Sequence, residues 1–564
     1  MKSHSNSPLA RLWRHQWAVV GGLAFAAFFL GIVGLWRLRA QDTCPKPWVW
    51  ADAIYFSLRL FGFNYDLGGD GTDPYAAGNW QLWVARFLAP ASTALAVVKA
   101  VTQKASRQFV LWQVSRWKGH AVIFGAGERG RRLALSLRQG RGRVVVVEKN
   151  GSCETLDELR KNGVKVIVGS VTDPAIQSAA RLDSAATVVS LTPCPESNLR
   201  VVLAARELHQ TRDGKLPVHA LAYAPRPFAA IFEGHPDFRQ IKQGVQCGFF
   251  DDNASAARVL VSRYMQRIAR QVFLDNRGAR ILVAGDGEIL PELLGVLIAL
   301  SQIASPTLPR ITLLTVSEDV IARGFPLHHP GLPLVVHLHD EEMPLARMMM
   351  APLPGSNPGG DSEPCDLVFV ACREDADSLA LATHFAQQSG QATTVVACLA
   401  PSTSLHRLFE GALRIPGVDI VNLVELGCEV EQVLRGSLDE KARSIHEAYY
   451  RSETANGNAD GAWLSLHKWE DLREDFRQGN RSQADHIPIK RAILDVSDTP
   501  DTIESLAEAE HRRWMADRIF CGWRYSAVRE DEKKLHDRIV PYDDLPDENK
   551  KKDRATVRTA QADV

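Results

Sequence analysis

The stretch from Trp17 to Trp36 carries no charged residue, and this feature limits the fold more than any other in the chain. About 20 apolar residues let an α-helix cross the ~30 Å hydrocarbon core of a bilayer. The two tryptophans lie at its ends, where indole side chains favour the membrane interface. We therefore predict a transmembrane helix over 17–36, preceded by a cytoplasmic N-terminus over 1–16. A cleaved signal peptide is the alternative, but the run is long for one and lacks a clear small-residue cleavage site.

A second apolar stretch, Trp80 to Val101, is interrupted by Arg86 and Pro90. Both residues are costly against lipid but acceptable on a helix that faces protein or water. We predict a second transmembrane helix over 80–103. Basic residues before the first span and after the second place both ends in the cytoplasm by the positive-inside rule, although two arginines directly after the first span oppose this. The prediction is a multi-pass protein of the cell membrane with most of its chain cytoplasmic.

The segment between the two spans, 37–79, contains an aromatic-rich stretch that is too short to cross a bilayer. The order of helix, short helix, loop and helix resembles a two-helix potassium-channel pore, which implies a pore helix and filter-like loop over 51–66. The filter positions then fall on Leu60, Phe61, Gly62, Phe63 and Asn64. Leu60 replaces the family's Thr and Asn64 its second Gly, so potassium selectivity is left open. The alternative is an extracytoplasmic loop that packs on a plain membrane anchor.

Composition excludes several classes of protein. The 564 residues suffice for three or four domains. The 66 basic and 66 acidic residues give a net charge of zero, whereas a dedicated nucleic-acid binder usually has a basic excess. The nine cysteines show no metal-binding or CxxC spacing. They are typical of thiols in a reducing compartment, and we expect no metal site.

After a linker over 104–118, a strand at Ala121–Phe124 leads into a Gly-x-Gly-x-x-Gly turn and a helix pattern. Gly125 allows the tight turn, Gly127 lets the backbone approach a pyrophosphate, and Gly130 lets helix and strand pack closely. The pyrophosphate would sit at the helix N-terminus. A second strand ends in Glu148, whose carboxylate can accept hydrogen bonds from ribose hydroxyls and favours NAD(H) over NADP(H). The pattern predicts a Rossmann-like nucleotide-binding domain.

This domain, over 119–270, resembles the RCK regulators that sense ligands for potassium channels and transporters. The resemblance rests on the third strand's turn at 169–173 and on the polar loop from Ser190 to Asn198. It implies NAD(H) or another adenine nucleotide as cofactor, with Ser170 replacing the family's usual Asp. The candidate cofactor-binding residues are Gly125, Gly127, Glu128, Arg129, Gly130, Glu148, Lys149, Ser170, Thr172 and Asp173. A Rossmann fold with an empty pocket is the alternative.

The region 278–430 repeats the strand–glycine–helix opening at a spacing of about 160 residues. Further apolar strands are predicted at Ile311–Val316, Leu367–Cys372 and Thr393–Leu399. Leu290 stands where the third glycine would be, so we interpret this copy as a degenerate Rossmann-like domain that pairs with the first. Such pairs resemble regulators that assemble into gating rings. The insert Pro352–Pro364 is predicted to be a surface loop.

The C-terminal region, 439–554, is mainly helical and resembles the repeat domain of ryanodine receptors, the RyR domain. The resemblance rests on motifs such as Glu510-His511-x-x-Trp514 and Gly522-Trp523-x-Tyr525. Aromatic, Arg, Lys and His side chains can stack a purine and bind phosphates. The ligand candidates are His511, Trp514, Trp523, Tyr525, Arg529, Lys533, His536 and Tyr542. The alternative is that the aromatics are core residues. A flexible tail is predicted over 555–564.

Together these patterns predict an α-helical membrane module, tandem doubly wound α/β domains and a mainly α C-terminal domain. His219 and Asp173 have no catalytic partners, so we expect no enzyme activity. The resemblances imply a nucleotide-gated ion channel in the lipid bilayer, with no nucleic-acid partner. Two helices per chain favour a homotetramer. The alternatives are a membrane-anchored nucleotide-sensing signalling or defence effector without selective conduction and, third, an NAD-dependent oxidoreductase.

Overall fold

A computed structural model of the chain divides into two compact units, Met1–Gln113 and Val114–Val564. It describes residues 16–40, 49–62, 79–210, 218–233, 238, 245–316, 321, 325–353, 364–390, 392–400, 414–430, 433, 436–461 and 463–562. Phe63, Asn64 and most of the predicted insert at Pro352–Pro364 lie outside these residues.

The N-terminal unit consists of helices α1 (Gln16–Ala40), α2 (Trp50–Arg59) and α3 (Trp80–Val114), with a 3₁₀ turn at Leu60–Gly62. Two segments are long and apolar enough to cross a membrane: Val19–Arg37, with a mean hydropathy of 2.2, and Trp80–Lys99, with 1.3. Helix α3 continues through most of the segment expected to be a linker. This part of α3 contains no Gly or Pro to end the helix.

Small residues let the helices of this unit approach closely. A Cβ atom on Gly34 would lie 2.9 Å from Leu82, and one on Gly31 would lie 2.8 Å from the Ser57 hydroxyl. The Asn79 amide donates a 2.6 Å hydrogen bond to the Gly34 carbonyl. Large apolar side chains on the outer faces stay exposed, such as Phe25 at 70% and Phe87 at 57%. Exposed apolar surface of this kind is typical of a unit that contacts lipid or other protein.

The first α/β lobe begins the second unit. Its elements are β1 (Ala121–Phe124), α4 (Glu128–Gln139), β2 (Val144–Glu148), α5 (Thr155–Lys161), β3 (Lys165–Val168), α6 (Pro174–Ala179), β4 (Thr187–Ser190), α7 (Pro195–Gln210), β5 (Val218–Tyr223), α8 (Arg226–Glu233), β6 (Val245–Phe250) and α9 (Asp252–Leu274). All six strands are parallel, in the order β3-β2-β1-β4-β5-β6. The continuous apolar run of β2 is buried because helices cover both faces of such a sheet. The doubly wound fold is confirmed.

The second lobe repeats this fold. Its elements are β7 (Arg280–Gly285), α10 (Leu290–Leu300), β8 (Arg310–Thr315), β9 (His337–Glu342), α11 (Leu345–Met348), β10 (Leu367–Ala371), α12 (Asp375–Gln388), β11 (Thr394–Leu399), β12 (Val418–Asn422) and α13 (Leu423–Gly427). The strand order β12-β11-β10-β7-β8-β9 is that of the first lobe, and all pairs are parallel. The internal repeat is thereby confirmed in topology.

The C-terminal region contains α14 (Glu440–Ala455), α15 (Glu474–Leu494), α16 (Pro500–Phe520), β13 (Arg524–Tyr525), β14 (Leu535–His536) and α17 (Asp547–Ala562). Residues 555–562 of the tail predicted to be flexible over 555–564 are instead part of α17. Val557 and Ala560 are buried, and the Ala560 carbonyl accepts a 2.9 Å hydrogen bond from Arg491. Burial of the apolar side chains on one face keeps this polar helix ordered.

Helix α10 joins the second lobe to the C-terminal region. All of its residues except Pro291 are buried, because α9 packs on one side and α15 and α16 on the other. A Cβ atom on Gly295 would lie 2.6 Å from the Phe520 ring. Apolar residues of the second lobe and of α14 to α17 belong to one continuous core. The C-terminal region is therefore packed into the second lobe rather than tethered to it.

Candidate functional site

The carboxyl ends of both sheets open onto one cleft of about 1380 Å³ between the two lobes. Loops that follow β1 to β4 line one wall, and loops that follow β7, β10 and β11 line the opposite wall. In doubly wound folds, ligands bind at the carboxyl ends of the strands. The cleft is larger than the ~300–1,000 Å³ that small-molecule sites usually occupy. It is the candidate ligand site.

The three glycines of the first turn are required for different reasons. Gly125 has φ +102°, a conformation that other residues rarely adopt. A Cβ atom on Gly130 would lie 1.9 Å from the Gly125 carbonyl oxygen, so only glycine fits there. Gly127 has an ordinary φ of −59°, and a Cβ atom on it would meet no protein atom within 4 Å. Neither backbone strain nor packing accounts for Gly127, which lines the cleft and leaves space for a ligand.

Glu148 lies at the end of β2, directly beside the glycine turn. Its carboxylate accepts hydrogen bonds from the backbone N–H of Ala126, at 2.7 Å, and of Asn150, at 2.9 Å. These bonds hold the side chain at the cleft, where it is partly exposed. A carboxylate has about four lone-pair sites, so two acceptor positions remain for ligand hydroxyls.

Arg129, on the first turn of α4, is held in place by the first lobe itself. Its Nε lies 2.6 Å from Asp252, and its guanidinium lies 4.6 Å from the centre of the Tyr223 ring. Burial alone would lower the pKa of Arg129, but Asp252 and Tyr223 raise it above its ordinary value. The group is therefore a permanent, oriented cation on the cleft wall, close to where α4 begins.

The remaining predicted cofactor residues divide into two groups. Glu128, Lys149, Ser170 and Thr172 line the cleft, and the last two are joined by a 3.2 Å contact between their hydroxyls. Asp173 is not among the lining residues. Its carboxylate accepts a 2.9 Å hydrogen bond from the Ala175 N–H and caps α6. The structure thus gives Asp173 a capping role, and its predicted role in cofactor binding stays a prediction.

Asn198 organises the polar loop after β4. Its Oδ1 accepts hydrogen bonds from the Ser190 hydroxyl at 2.8 Å and the Thr192 hydroxyl at 2.6 Å. Its amide donates to the carbonyls of Thr192 and Tyr223. The buried side chain therefore joins the ends of β4 and β5 and sets the shape of the cleft floor. The polar Ser190–Asn198 pattern indicated this loop, but not which residue holds it.

The second lobe contributes a glycine turn without the third glycine. Gly285 has φ +131°, and Gly287 lies against the Ala371 carbonyl. Leu290, at the third position, is fully buried in the core. Arg132 of α4 reaches across to Glu425 of α13 at 2.5 Å, which joins the two lobes. The second lobe therefore serves as a wall of the first lobe's site, in keeping with the predicted pairing.

Among the RyR-region candidates, four side chains are buried and already paired. The Trp523 indole N–H donates to Asp475 at 2.9 Å, and the Tyr542 hydroxyl donates to Glu504 at 3.0 Å. His511 lies 2.8 Å from the Val540 carbonyl. His536 packs edge-on against Trp514, with 5.0 Å between ring centres. These aromatics form the core of the region, as the alternative interpretation expected.

The other candidates lie nearer the surface. Trp514 is partly buried and stacks on the His511 ring. Arg529 makes two hydrogen bonds to Asp531, at 2.6 and 2.9 Å, and Lys533 lies 2.6 Å from Glu530. Tyr525 is 58% exposed. The eight residues are therefore not gathered around one open pocket, and their predicted ligand role stays a prediction.

His536 gives the RyR region a pH-dependent stability. Burial, together with Arg529 and Arg518, lowers the pKa of His536 to about 4. An unfolded histidine titrates near 6.5, so the neutral ring stabilises the fold fully above that pH, and this contribution is lost as pH falls toward 4. Between pH 7 and pH 4, we expect the free energy of unfolding in urea to fall by up to about 3 kcal/mol more for wild type than for His536→Asn. Parallel pH profiles for the two proteins would contradict this.

In the N-terminal unit, Leu60, Phe61 and Gly62 form one 3₁₀ turn that extends α2. Leu60 is buried against Ala27, Ala85 and Ala89 of the two long helices. Its backbone is right-handed helical, at φ −58° and ψ −32°. In a helical backbone the carbonyl groups point along the helix axis, so they do not form a ring of ion ligands. This conformation differs from the carbonyl-lined filter that the pore resemblance implies for Leu60 to Gly62.

No cluster of three or more metal-ligating side chains occurs within the described ranges. The eight cysteines among them are free thiols.

Comparison with known proteins identifies two domains. Residues 121–226 match the TrkA-N domain family, and residues 489–561 match the RyR domain family. The resemblances to an RCK-type nucleotide-binding domain and to the RyR domain are thereby confirmed. The RyR match begins and ends later than the 439–554 range expected. No curated protein is similar enough in sequence to count as a relative.

Three solved structures are similar to parts of the chain. GsuK bound to ADP is 15% identical, covers 76% of this chain and 100% of its own, and has a TM-score of 0.37. GsuK channel bound to NAD is 14% identical over 77% of this chain and 86% of its own, at 0.36. The TrkA-N domain of inner membrane protein ybaL from Escherichia coli is 25% identical over 19% of this chain and 76% of its own, at 0.17.

Proposed function

We propose that the chain is the subunit of a ligand-gated membrane ion channel whose first lobe binds NAD(H) or another adenine nucleotide. The observation that carries the proposal is Gly127. Its backbone is ordinary and its missing Cβ faces the open cleft, which leaves room for a ligand phosphate at the N-cap of α4. A TrkA-N domain at this position supports the same ligand class.

The residues that line the cleft fit a nucleoside diphosphate. Backbone N–H groups at the start of α4 and the helix dipole favour the phosphates, and Arg129 adds an oriented positive charge. Glu148 has acceptor positions for ribose hydroxyls, and its negative charge would repel a 2′-phosphate. These side chains bind and orient, and they form no nucleophile–base pair. We accordingly propose a sensor without enzyme activity.

Gating requires that the nucleotide bind one conformation of the cytosolic unit more tightly than another. Coupling of this kind is typically about 1–3 kcal/mol, or 5- to 150-fold in a population ratio. A pore built from two long helices per chain needs several copies, and four around one axis is the arrangement that we propose. The two long apolar helices and their exposed apolar faces support a location in the membrane, with both ends cytoplasmic.

A second candidate is a membrane-anchored nucleotide-sensing effector that permeabilises the bilayer without ion selectivity. The helical backbone at Leu60–Gly62 favours it, because these residues do not present a ring of carbonyls. Both candidates use the same nucleotide site and differ in what the N-terminal unit does.

Flux through liposomes that contain the purified full-length protein tests the proposal. We expect addition of NAD or ADP to change potassium flux at least threefold, with a trapped fluorescent dye retained. Dye release together with ion flux would support the second candidate. Gating would be overturned for both candidates if neither ion flux nor dye release changed when nucleotide was added at a concentration that stabilises the protein. The Gly127→Ala variant should give flux that does not respond to nucleotide.

A further inference from the structure

Glu288 is a carboxylate that the second lobe exposes to the cleft. It follows the second glycine turn, directly before α10, and lines the wall opposite Gly125 and Gly127. Within the described part of the chain, no hydrogen bond or ion pair engages it. An exposed Glu would be unremarkable on an outer surface, but this one faces the interior of a ligand-sized space.

Glu288 shares the cleft with the glycine turn of the first lobe. Gly127 and Arg129, at the start of α4, line the cleft, and so does Glu288 of the second lobe. Asp252 and the Tyr223 ring, 4.6 Å away, hold the Arg129 guanidinium in place there. Glu288 therefore faces the same ligand-sized space as the proposed phosphate site.

The charged groups of the second wall have a net negative charge. Asp286, within the second glycine turn, accepts a 3.0 Å hydrogen bond from the backbone N–H of Arg373. The Asp286 carboxylate also lies 3.6 Å from the Arg373 guanidinium, which is 64% exposed and lines the cleft, so these two opposite charges offset each other. With Arg373 paired, Glu288 leaves this wall with an unbalanced negative charge. A terminal phosphate that projected toward it would be repelled, whereas hydroxyl groups could donate hydrogen bonds to it.

We infer that Glu288 is a specificity-determining residue for nucleoside diphosphates whose terminal phosphate carries a hydroxyl-rich sugar, as in adenine dinucleotides. The inference rests on the proposed nucleotide site of the first lobe. In this arrangement the first lobe holds the adenosine diphosphate portion and the second lobe accepts hydrogen bonds from the distal sugar. The two lobes thereby bind one ligand from opposite sides, which accounts for the size of the cleft.

Calorimetric titration of the full-length protein with ADP, ATP, ADP-ribose and NAD, without divalent cations, tests this inference. For wild type we expect ADP-ribose and NAD to bind about tenfold more tightly than ADP, and ATP more weakly than ADP. In Glu288→Gln, the advantage of ADP-ribose over ADP should fall to less than about threefold, and ATP should gain affinity. Glu342→Gln, an exposed glutamate at the end of β9 outside the cleft lining, is the matched control and should behave as wild type.

Two results would overturn the inference. One is an unchanged ratio of ADP-ribose to ADP affinity in Glu288→Gln, and the other is wild-type protein that binds ATP more tightly than ADP-ribose. In both cases ADP still binds, so the proposed nucleotide site of the first lobe would stand. Absence of binding by all four compounds would remove the nucleotide site and this inference together. Loss of ATP affinity in Arg373→Gln, with ADP-ribose unaffected, would show that Arg373 and not Glu288 sets the preference.

Discussion

Replacing Gly127 by alanine is expected to weaken binding of ADP and NAD by at least about 100-fold, or ~2.7 kcal/mol, without unfolding the protein. The backbone at Gly127 has φ −59° and ψ −177°, which alanine adopts without strain. The added methyl group meets no protein atom within 4 Å, so its only consequence is to occupy the space left for a phosphate. Because Gly127 is the N-cap of α4, stability should fall by no more than about 1 kcal/mol.

Thermal unfolding with and without nucleotide measures this effect. Ligand at 100 times its dissociation constant stabilises a protein by about 2.7 kcal/mol, and Gly127→Ala should lose nearly all of that. Gly390→Ala is the matched control, because its Cβ also meets nothing within 4 Å and it lies outside the cleft lining. Gly130 would be a poor choice, since its Cβ would collide with the Gly125 carbonyl and disturb the fold. Retention of wild-type affinity in Gly127→Ala would refute the phosphate site.

Replacing Glu510 by glutamine is expected to destabilise the protein by about 3–5 kcal/mol. Glu510 is 3% exposed and lies 2.5 Å from the Lys490 ammonium and 2.7 Å from Arg513. Burial alone would raise the pKa of Glu510, but Arg513 and Lys490 hold it well below its ordinary value. The carboxylate is therefore ionised at neutral pH. Its loss leaves the buried Lys490 ammonium without this anion and leaves Arg513 with Asp517.

Denaturant unfolding measures the cost. Glu532→Gln serves as control, because its side chain is 82% exposed and lies 3.9 Å from Arg473, a geometry worth less than about 1 kcal/mol. The loss in Glu510→Gln should also appear in probes of the second lobe, since both belong to one core. If Glu510→Gln changed the free energy of unfolding by less than about 1 kcal/mol, the cluster of Glu510, Lys490 and Arg513 would be more hydrated than its burial indicates.

The glycine turn could be predicted from sequence because its determinants are local. A strand, three glycines and a helix follow one another within a few residues, and the constraints on Gly125 and Gly130 arise from the turn itself. The same reasoning found Glu148, since the end of β2 meets the turn whenever β1 and β2 are parallel neighbours. Strand β9 was missed because HLHDEE is a polar, mostly exposed edge strand without the apolar run of its neighbours.

The second wall of the cleft could not be predicted, because it depends on how two lobes pair in space. Glu288 and Arg373 are far apart in sequence from the first turn, and no local pattern marks either one as a cleft residue. The aromatic residues of the RyR domain were misleading for a related reason. Helix α16 buries charged and apolar side chains on almost every face, so its sequence has little amphipathic period to separate core from surface.

The shared core also has a consequence for how the protein is made. Helix α10 emerges from the ribosome about 200 residues before α16, which together with α15 completes its burial. Until then the largely apolar face of α10 that points away from α9 has no partner, and such segments are prone to aggregate or to recruit chaperones. Translation that stops before the RyR domain would therefore release a second lobe with an uncovered face. The RyR domain is therefore a folding requirement for a lobe that is synthesised before it.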